Sequence, residues 1–199
     1  MKKYEICAAV LAGGEASRYG GRPKGLIEIS PGRTIIRNVL EQIRAAGIQK
    51  TVIIANDPEP YEDLGVEILA DLRPGNGPLG GIEAALDHYS GKCTATLFLP
   101  CDLPGIRSGH IEKLADSVDP QNPGIVVAVT GDSFMHALCS IMHNDMLGEV
   151  KRALDMKQLA VNGFLRSHNA REIFFKDEEA FFNINSPEDL ARWEKSVSG

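Results

Sequence analysis

Two hydrophobic patterns alternate along this chain: short β-rich apolar runs, and longer stretches in which apolar residues return every three or four positions. Runs of the first kind at residues 4–11, 51–55, 66–69, 95–99, 125–129, 136–142 and 172–175 predict strands. Between them, Ile36, Val39, Leu40 and Ile43 fall at i, i+3, i+4 and i+7, with Thr34 as the N-cap and Gly47 past the end. Ile82, Ala85, Leu86 and Tyr89 repeat that spacing, as do Ile111, Leu114, Ala115 and Val118, while Leu147, Val150 and Leu154 mark another helix. The last helix opens on Ser186 as N-cap and Pro187 at the first position, with Glu188 and Asp189 in its positive first turn and Leu190 and Trp193 turned inward.

Strands that alternate with amphipathic helices predict a three-layer α/β architecture: a mostly parallel, doubly wound sheet with helices on both faces. A turn signal at Gly131 and Asp132 lies between two close runs, so one antiparallel pair is expected to interrupt the parallel order. Ligands on such sheets bind beyond the carboxyl ends of the strands, where the strand order reverses. The candidate site residues all follow predicted strands.

Length and charge narrow the partners. With 199 residues, 43% of them hydrophobic, the chain is expected to fold as one domain over 1–199. The 21 basic and 27 acidic residues leave a formal charge of −6, which opposes nucleic acid or an anionic membrane as partner, yet a locally positive site still admits a small anion. The first apolar run leads straight into a glycine-rich turn without a small-residue cleavage site, and no stretch approaches the ~18 apolar residues of a membrane span, so a cytoplasmic protein is expected. Cys7, Cys93, Cys101 and Cys139 are scattered with no C-x-x-C pair, which predicts reduced thiols.

The turn after the first strand, LAGGEASRYGGRPK at residues 11–24, is the strongest chemical signal. Leu11, Ala12, Gly13 and Gly14 leave a buried strand, and Gly13, Gly14, Gly20 and Gly21 permit positive φ and a close approach of backbone N–H groups to phosphate oxygens. Arg18 and Lys24 supply positive charge to a polyphosphate and are candidates for stabilising the charge that builds as a phosphoanhydride breaks. No Lys-Ser or Lys-Thr follows the final glycine and the G-x-G-x-x-G order is absent, so the Walker A and dinucleotide readings drop.

Other carboxylates and amides also follow strands. Asp102 comes just after the apolar run at 95–99, where one carboxylate suits Mg²⁺, an ion that takes its remaining ligands from phosphates and waters; a turn aspartate between Pro100 and Pro104 is the plainer alternative. Cys101 beside it reads as a small packed side chain. Asp71 precedes the glycine-rich stretch 74–81, read as a turn against which a flat base can lie, and its carboxylate can accept from a ribose hydroxyl or from a guanine N–H. Asn56 reaches the same pocket or merely forms a turn with Asp57 and Pro58. Asn183 and Asn185 alternate across Ile184, so an extended segment points both amides to one side, although Asn185 also stands where a chain prepares the Ser186 cap. The five histidines have no ligand spacing, and Arg22, Arg73 and Lys92 receive no role.

The glycine-rich turn, LADLRPGNGPLGGI at 69–82, FLPCDLPGI at 98–106 and FFNINSPEDLARW at 181–193 together resemble the MobA-like nucleotidyltransferases, the molybdenum cofactor guanylyltransferases, in order and spacing over almost the whole chain. The resemblance implies a Rossmann-like nucleotidyltransferase fold, with Asp102 holding the Mg²⁺ bound to the nucleotide. It also implies a guanine-favouring pocket at Asp71, Gly77 and the GPLGG stretch, and Asn183 and Asn185 near the acceptor. The implied reaction moves GMP from GTP to the phosphate of molybdopterin and releases pyrophosphate, with transient contact to proteins that supply or receive the cofactor. Tyr19 stands where Met is usual, Pro23 where Asp often precedes the lysine, and His136-Ala137 where His-Pro is frequent. These departures leave acceptor specificity open, and with it a cytidylyltransferase or sugar-phosphate nucleotidyltransferase on the same fold. A nucleotide-binding regulator without turnover is the alternative from another class.

Overall fold

Seven strands form the central sheet in the order β11-β9-β10-β8-β1-β6-β7 in a computed structural model, which describes residues 5–13, 18–19, 22–119 and 124–197, the side chains of 18, 19, 22 and 197 excepted. The strands are β1 (Ile6–Leu11), β6 (Thr51–Ile54), β7 (Glu67–Leu69), β8 (Ala95–Pro100), β9 (Ile125–Thr130), β10 (Phe134–His143) and β11 (Arg171–Phe175). Only β10 runs antiparallel to its neighbours, β8 and β9. The hairpin turn between β9 and β10 falls at Gly131 and Asp132, as the sequence signals, and Gly131 takes a positive φ of 50° there.

Each of the seven predicted strands is present, its ends shifted by no more than two residues, and the predicted helices lie between them. β1 and β8 are buried along their whole length, the mark of strands covered on both faces. One face is covered by α1 (Ile35–Ala45), α3 (Ser108–Asp116) and α6 (Pro187–Val197), whose Ile36, Val39, Ile43, Ile111, Leu114 and Trp193 join Ala8, Val10, Leu97 and Leu99 in one apolar cluster. The opposite face is covered by α2 (Gly77–His88), α4 (Leu147–Asp155) and α5 (Val161–Ser167), with Leu79, Ile82, Leu86, Val150 and Phe164 packed on Cys7, Ala9 and Phe98.

The helix caps follow their sequence signals. Thr34 accepts from the Arg37 N–H at the start of α1, and Gly47 beyond its end has a φ of 84°. At α6, Ser186 and Asp189 cap reciprocally: Asp189 accepts from the Ser186 backbone at 2.9 Å, and the Ser186 hydroxyl accepts from the Asp189 backbone at 3.2 Å.

The stretch 77–81 corrects one expectation, because it forms the first turns of α2 and not a turn open to a base. A Cβ on Gly81 would come within 3.0 Å of Ile54 Cγ2 and 3.2 Å of Leu11 Cδ2, so its hydrogen side chain lets α2 press onto the ends of β1 and β6. Three features carry no advance signal. The helix α5 contains Asn162 and Gly163 and lacks a side-chain cap, and it is held by burial of Val161, Phe164 and Leu165. The other two are the short ribbons β2 (Arg18–Tyr19) with β3 (Arg22–Pro23) and β4 (Glu28–Ser30) with β5 (Arg33–Thr34). Among the described residues, no helix is long and apolar enough to cross a membrane, and all four cysteines are free thiols.

Candidate active site

The chain leaves β1 for β6 and β7 on one side and then crosses to β8 on the other, so the strand order reverses at β1. A crevice of about 1060 Å³ opens at the carboxyl ends of these four strands, lined by Leu11, Ala12 and Gly13 after β1, Asn56 after β6, Asp71 after β7, and Pro100, Cys101 and Asp102 after β8. Its rims are tied by strand-end hydrogen bonds: Ala12 N–H to Ile54 O at 2.9 Å, Ala55 N–H to Leu69 O at 2.9 Å, and Cys101 N–H to Leu11 O at 3.1 Å. Gly77, Pro78 and Gly81 bring the N-terminal end of α2 to the same opening.

Lys24 lies in a 3-10 turn, Lys24–Leu26, and is 8% exposed. The turn lies tight against the end of β8, since a Cβ on Gly25 would sit 3.0 Å from Cys101 Cβ and 3.2 Å from Ile36 Cβ. Lys24 Nζ donates to Asn185 Oδ1 at 2.7 Å. Across the crevice wall, Asn183 Nδ2 donates to Asp102 Oδ1 at 2.5 Å, while the Ile184 N–H donates to the Asp102 carbonyl at 3.1 Å. Ile184 is fully buried between them, and both flanking amides reach residues that line the crevice, Asn183 to Asp102 and Asn185 to Lys24, as period-two alternation predicts. The cap reading of Asn185 holds, since its backbone N–H enters the α6 cap through Asp189, and its side chain accepts from Lys24.

Burial raises the Asp102 carboxyl above the usual carboxylate range, and the Asn183 hydrogen bond and the nearby Lys24 charge oppose the rise without cancelling it. A half-buried carboxylate at the mouth of a crevice has the chemistry to hold a hard divalent cation whose shell phosphates and waters complete. Among the described residues no cluster of three His, Cys, Asp or Glu side chains is present. The buried thiol of Cys101 is pushed up to about 12 by desolvation, so it packs as a neutral group.

On the opposite rim Asn56 and Asp71 grip each other twice. Asn56 Nδ2 donates to Asp71 Oδ2 at 2.9 Å, and the Asp71 N–H donates to Asn56 Oδ1 at 2.9 Å. The pairing turns the Asp71 carboxylate toward the start of α2, where a Cβ on Gly81 would lie 3.4 Å from its Oδ1. Positive φ is found here, at Gly75 (81°) and Gly77 (60°), and not at Gly13, which corrects the expectation for that glycine. Gly14, Gly20 and Gly21 lie outside the described residues, as does the side chain of Arg18, whose backbone is in β2.

Tyr61 has no signal in the sequence. Carried on a 3-10 segment, Glu59–Leu64, it is buried, lines the crevice, and donates from its hydroxyl to the Ala12 carbonyl at 3.3 Å, fixing the first residue beyond β1. The histidines stay outside the crevice lining: His136 meets Thr130 Oγ1 at 2.8 Å and stacks on Phe181, and His110 lies 3.4 Å from Asp177.

An α/β sheet whose switch point presents a buried lysine, a carboxylate beside it at the end of β8 and a glycine-lined helix start fits a nucleoside triphosphate transferase. The chain matches the MobA-like NTP transferase domain over residues 8–172 and belongs to that family, and it is a nucleotidyltransferase. It is 31% identical to the molybdenum cofactor guanylyltransferase of Serratia proteamaculans over 194 residues, covering 96% of this chain and 95% of that one. It is 29% identical to the enzyme of the same name from Photobacterium profundum over 189 residues, covering 94% and 95%. Among solved structures, the molybdopterin-guanine dinucleotide biosynthesis protein A of Archaeoglobus fulgidus superposes with a TM-score of 0.72 at 25% identity, covering 96% of this chain and 98% of that one.

Proposed function

We propose that the crevice transfers GMP from GTP to the phosphate of molybdopterin, releasing pyrophosphate and forming a guanine dinucleotide cofactor. The observation that carries this reading is the convergence of Lys24 and Asp102 on one wall, each held by an amide of the same Asn183-Ile184-Asn185 segment. The names of the relatives supply the guanine and the molybdopterin acceptor.

The attacking oxygen of the acceptor phosphate is already an anion, so no general base is required. What the chain must supply is alignment and compensation of charge. Lys24, fixed by Asn185, places a preorganised cation where charge grows on the phosphate oxygens. Asn183 fixes the rotamer of Asp102 and leaves its carboxylate facing the crevice. Asp102 is the residue to hold Mg²⁺, whose contribution when bound is neutralisation of phosphate charge and a template for in-line displacement. Arg18 joins Lys24 on the phosphates, and the residues from Leu11 to Gly14 offer backbone N–H groups. Asn56, Asp71 and Gly77 form the nucleoside side of the pocket.

The test is pyrophosphate release measured with GTP, CTP, ATP and UTP, each with and without molybdopterin. Release with GTP that depends on molybdopterin and Mg²⁺ supports the reading. Preference for CTP moves the assignment to a cytidylyltransferase, and nucleotide binding without release under any acceptor contradicts an enzymatic role.

A further inference from the structure

Arg73 has no signal in the sequence and does not line the crevice, yet it sits in the middle of the connection from β7 to α2 that carries Asp71 and Gly75 and leads into Gly77 at the helix start. Its guanidinium is a bridge. Nε lies 3.1 Å from Glu83 Oε1 on α2, and Nη1 lies 2.5 Å from Asp155 Oδ1 at the last residue of α4. The Arg73 carbonyl accepts from Asn76 Nδ2 at 2.8 Å, and a Cβ on Gly80 would approach it to 3.4 Å, so the backbone at this residue is held as well as the side chain.

Glu83 gives the bridge its strength. It is 1% exposed, its Oε2 has no hydrogen-bond partner, and Arg73 is the cation beside it. A buried carboxylate left without a counter-ion is costly, so any excursion of the loop that withdraws Arg73 is opposed. Asp155, at 67% side-chain exposure, adds the outer anchor and links the loop to a second helix. A planar guanidinium with donors on separate nitrogens can span two carboxylates in this way, and a lysine ammonium has no equivalent fork.

We propose that Arg73 is a positioning residue for base recognition: by bridging Glu83 on α2 and Asp155 on α4 it holds the Asp71–Gly77 connection in its binding geometry before the nucleotide arrives. The inference rests on the nucleotidyltransferase reading of the crevice. A loop ordered in advance loses less freedom on binding, so the bridge acts on nucleotide affinity and base discrimination and leaves the chemical step to Lys24 and Asp102.

The test compares Asp155→Asn, the double variant Arg73→Met with Glu83→Gln, and Arg73→Lys with the wild type. The readouts are KM and kcat for GTP, the GTP to CTP ratio of kcat/KM, and equilibrium dissociation constants for both triphosphates. The double variant removes the buried charge together with its partner, so it remains foldable, and Asp155→Asn leaves the buried pair intact. The expected result is a KM for GTP raised about tenfold in the double variant and two- to threefold in Asp155→Asn, with kcat within twofold of wild type and a reduced GTP to CTP ratio. Arg73→Lys, which keeps the charge and loses the fork, is expected to restore less than half of the lost affinity. Folded variants with wild-type KM and discrimination, or with a loss confined to kcat, would overturn the proposal. If the wild type instead binds and turns over CTP, the guanylyl reading fails while the Arg73 test proceeds on the CTP constants.

Discussion

The two walls of the crevice are assembled by different means. On the wall formed by the ends of β1 and β8, the defining contacts join residues far apart in sequence: Asn183 to Asp102 across 81 positions and Lys24 to Asn185 across 161. On the wall formed by the ends of β6 and β7, Asn56 and Asp71 are 15 positions apart, and Arg73 and Asn76 follow in the connection to α2, whose Gly80 lies against the Arg73 carbonyl. In the proposed function the first wall meets reacting phosphates, and its groups are held against each other by contacts that cross the fold. In the proposed function the second meets a base, on a loop pinned to two helices. Under the proposed roles, the wall assigned to chemistry is closed by the segment before α6, and the wall assigned to recognition combines the local Asn56–Asp71 pair with an ion bridge that itself reaches 82 positions, from Arg73 to Asp155.

Substitutions that separate kcat from KM sharpen this contrast, starting with the largest expected effect. Asp102→Asn keeps the Asn183 contact possible and removes the carboxylate charge, so kcat/KM is expected to fall about 10³-fold or more with the fold retained by circular dichroism. Lys24→Met is expected to lower kcat by about 10²- to 10³-fold with a smaller change in KM, because a preorganised cation acts most strongly where charge develops. On the other wall, Asn56→Ala breaks both hydrogen bonds to Asp71 and is expected to raise KM for the triphosphate about tenfold while kcat stays within a few-fold. Equal losses of kcat on both walls in steady-state assays would erase the distinction between them.

Two smaller effects probe the scaffold. Gly25→Ala drives a methyl into Cys101 and Ile36 at 3.0–3.2 Å, and overpacking of this kind is expected to cost about 1–3 kcal/mol in denaturant titration. His110 and His136 have imidazoles lowered by desolvation, so the folded protein binds their protons less readily than the unfolded chain does. Their stabilising contribution is full above the ordinary imidazole pKa of about 6.5 and declines as pH falls through the lowered values. The melting temperature is therefore expected to drop between pH 7.5 and 5.5, and the drop is expected to shrink in a His110→Gln, His136→Gln double variant.

The sheet was legible because its central strands are buried on both faces and read as unbroken apolar runs, and because Thr34, Gly47, Ser186 and Pro187 carry local cap chemistry. That Asn56, Asp71 and Asp102 line one crevice was legible for the same reason, since the end of an apolar run marks the edge of the sheet. The stretch at 77–81 misled because its glycines serve helix-to-strand packing, a tertiary demand that has the composition of a turn. Tyr61 and Arg73 were silent because the atoms they bond, the Ala12 carbonyl and the Glu83 and Asp155 carboxylates, become neighbours only after the sheet forms.

The most direct measurement is the affinity of Mn²⁺, used as a paramagnetic stand-in for Mg²⁺, for the complex with GTP in the wild type and in Asp102→Asn, read by electron paramagnetic resonance. The expected result is a loss of Mn²⁺ affinity of about tenfold or more in the variant, with GTP still bound through the Asn56 and Asp71 wall. Undiminished Mn²⁺ affinity in the Asp102→Asn complex would contradict a cation held between Asp102 and the nucleotide's phosphates.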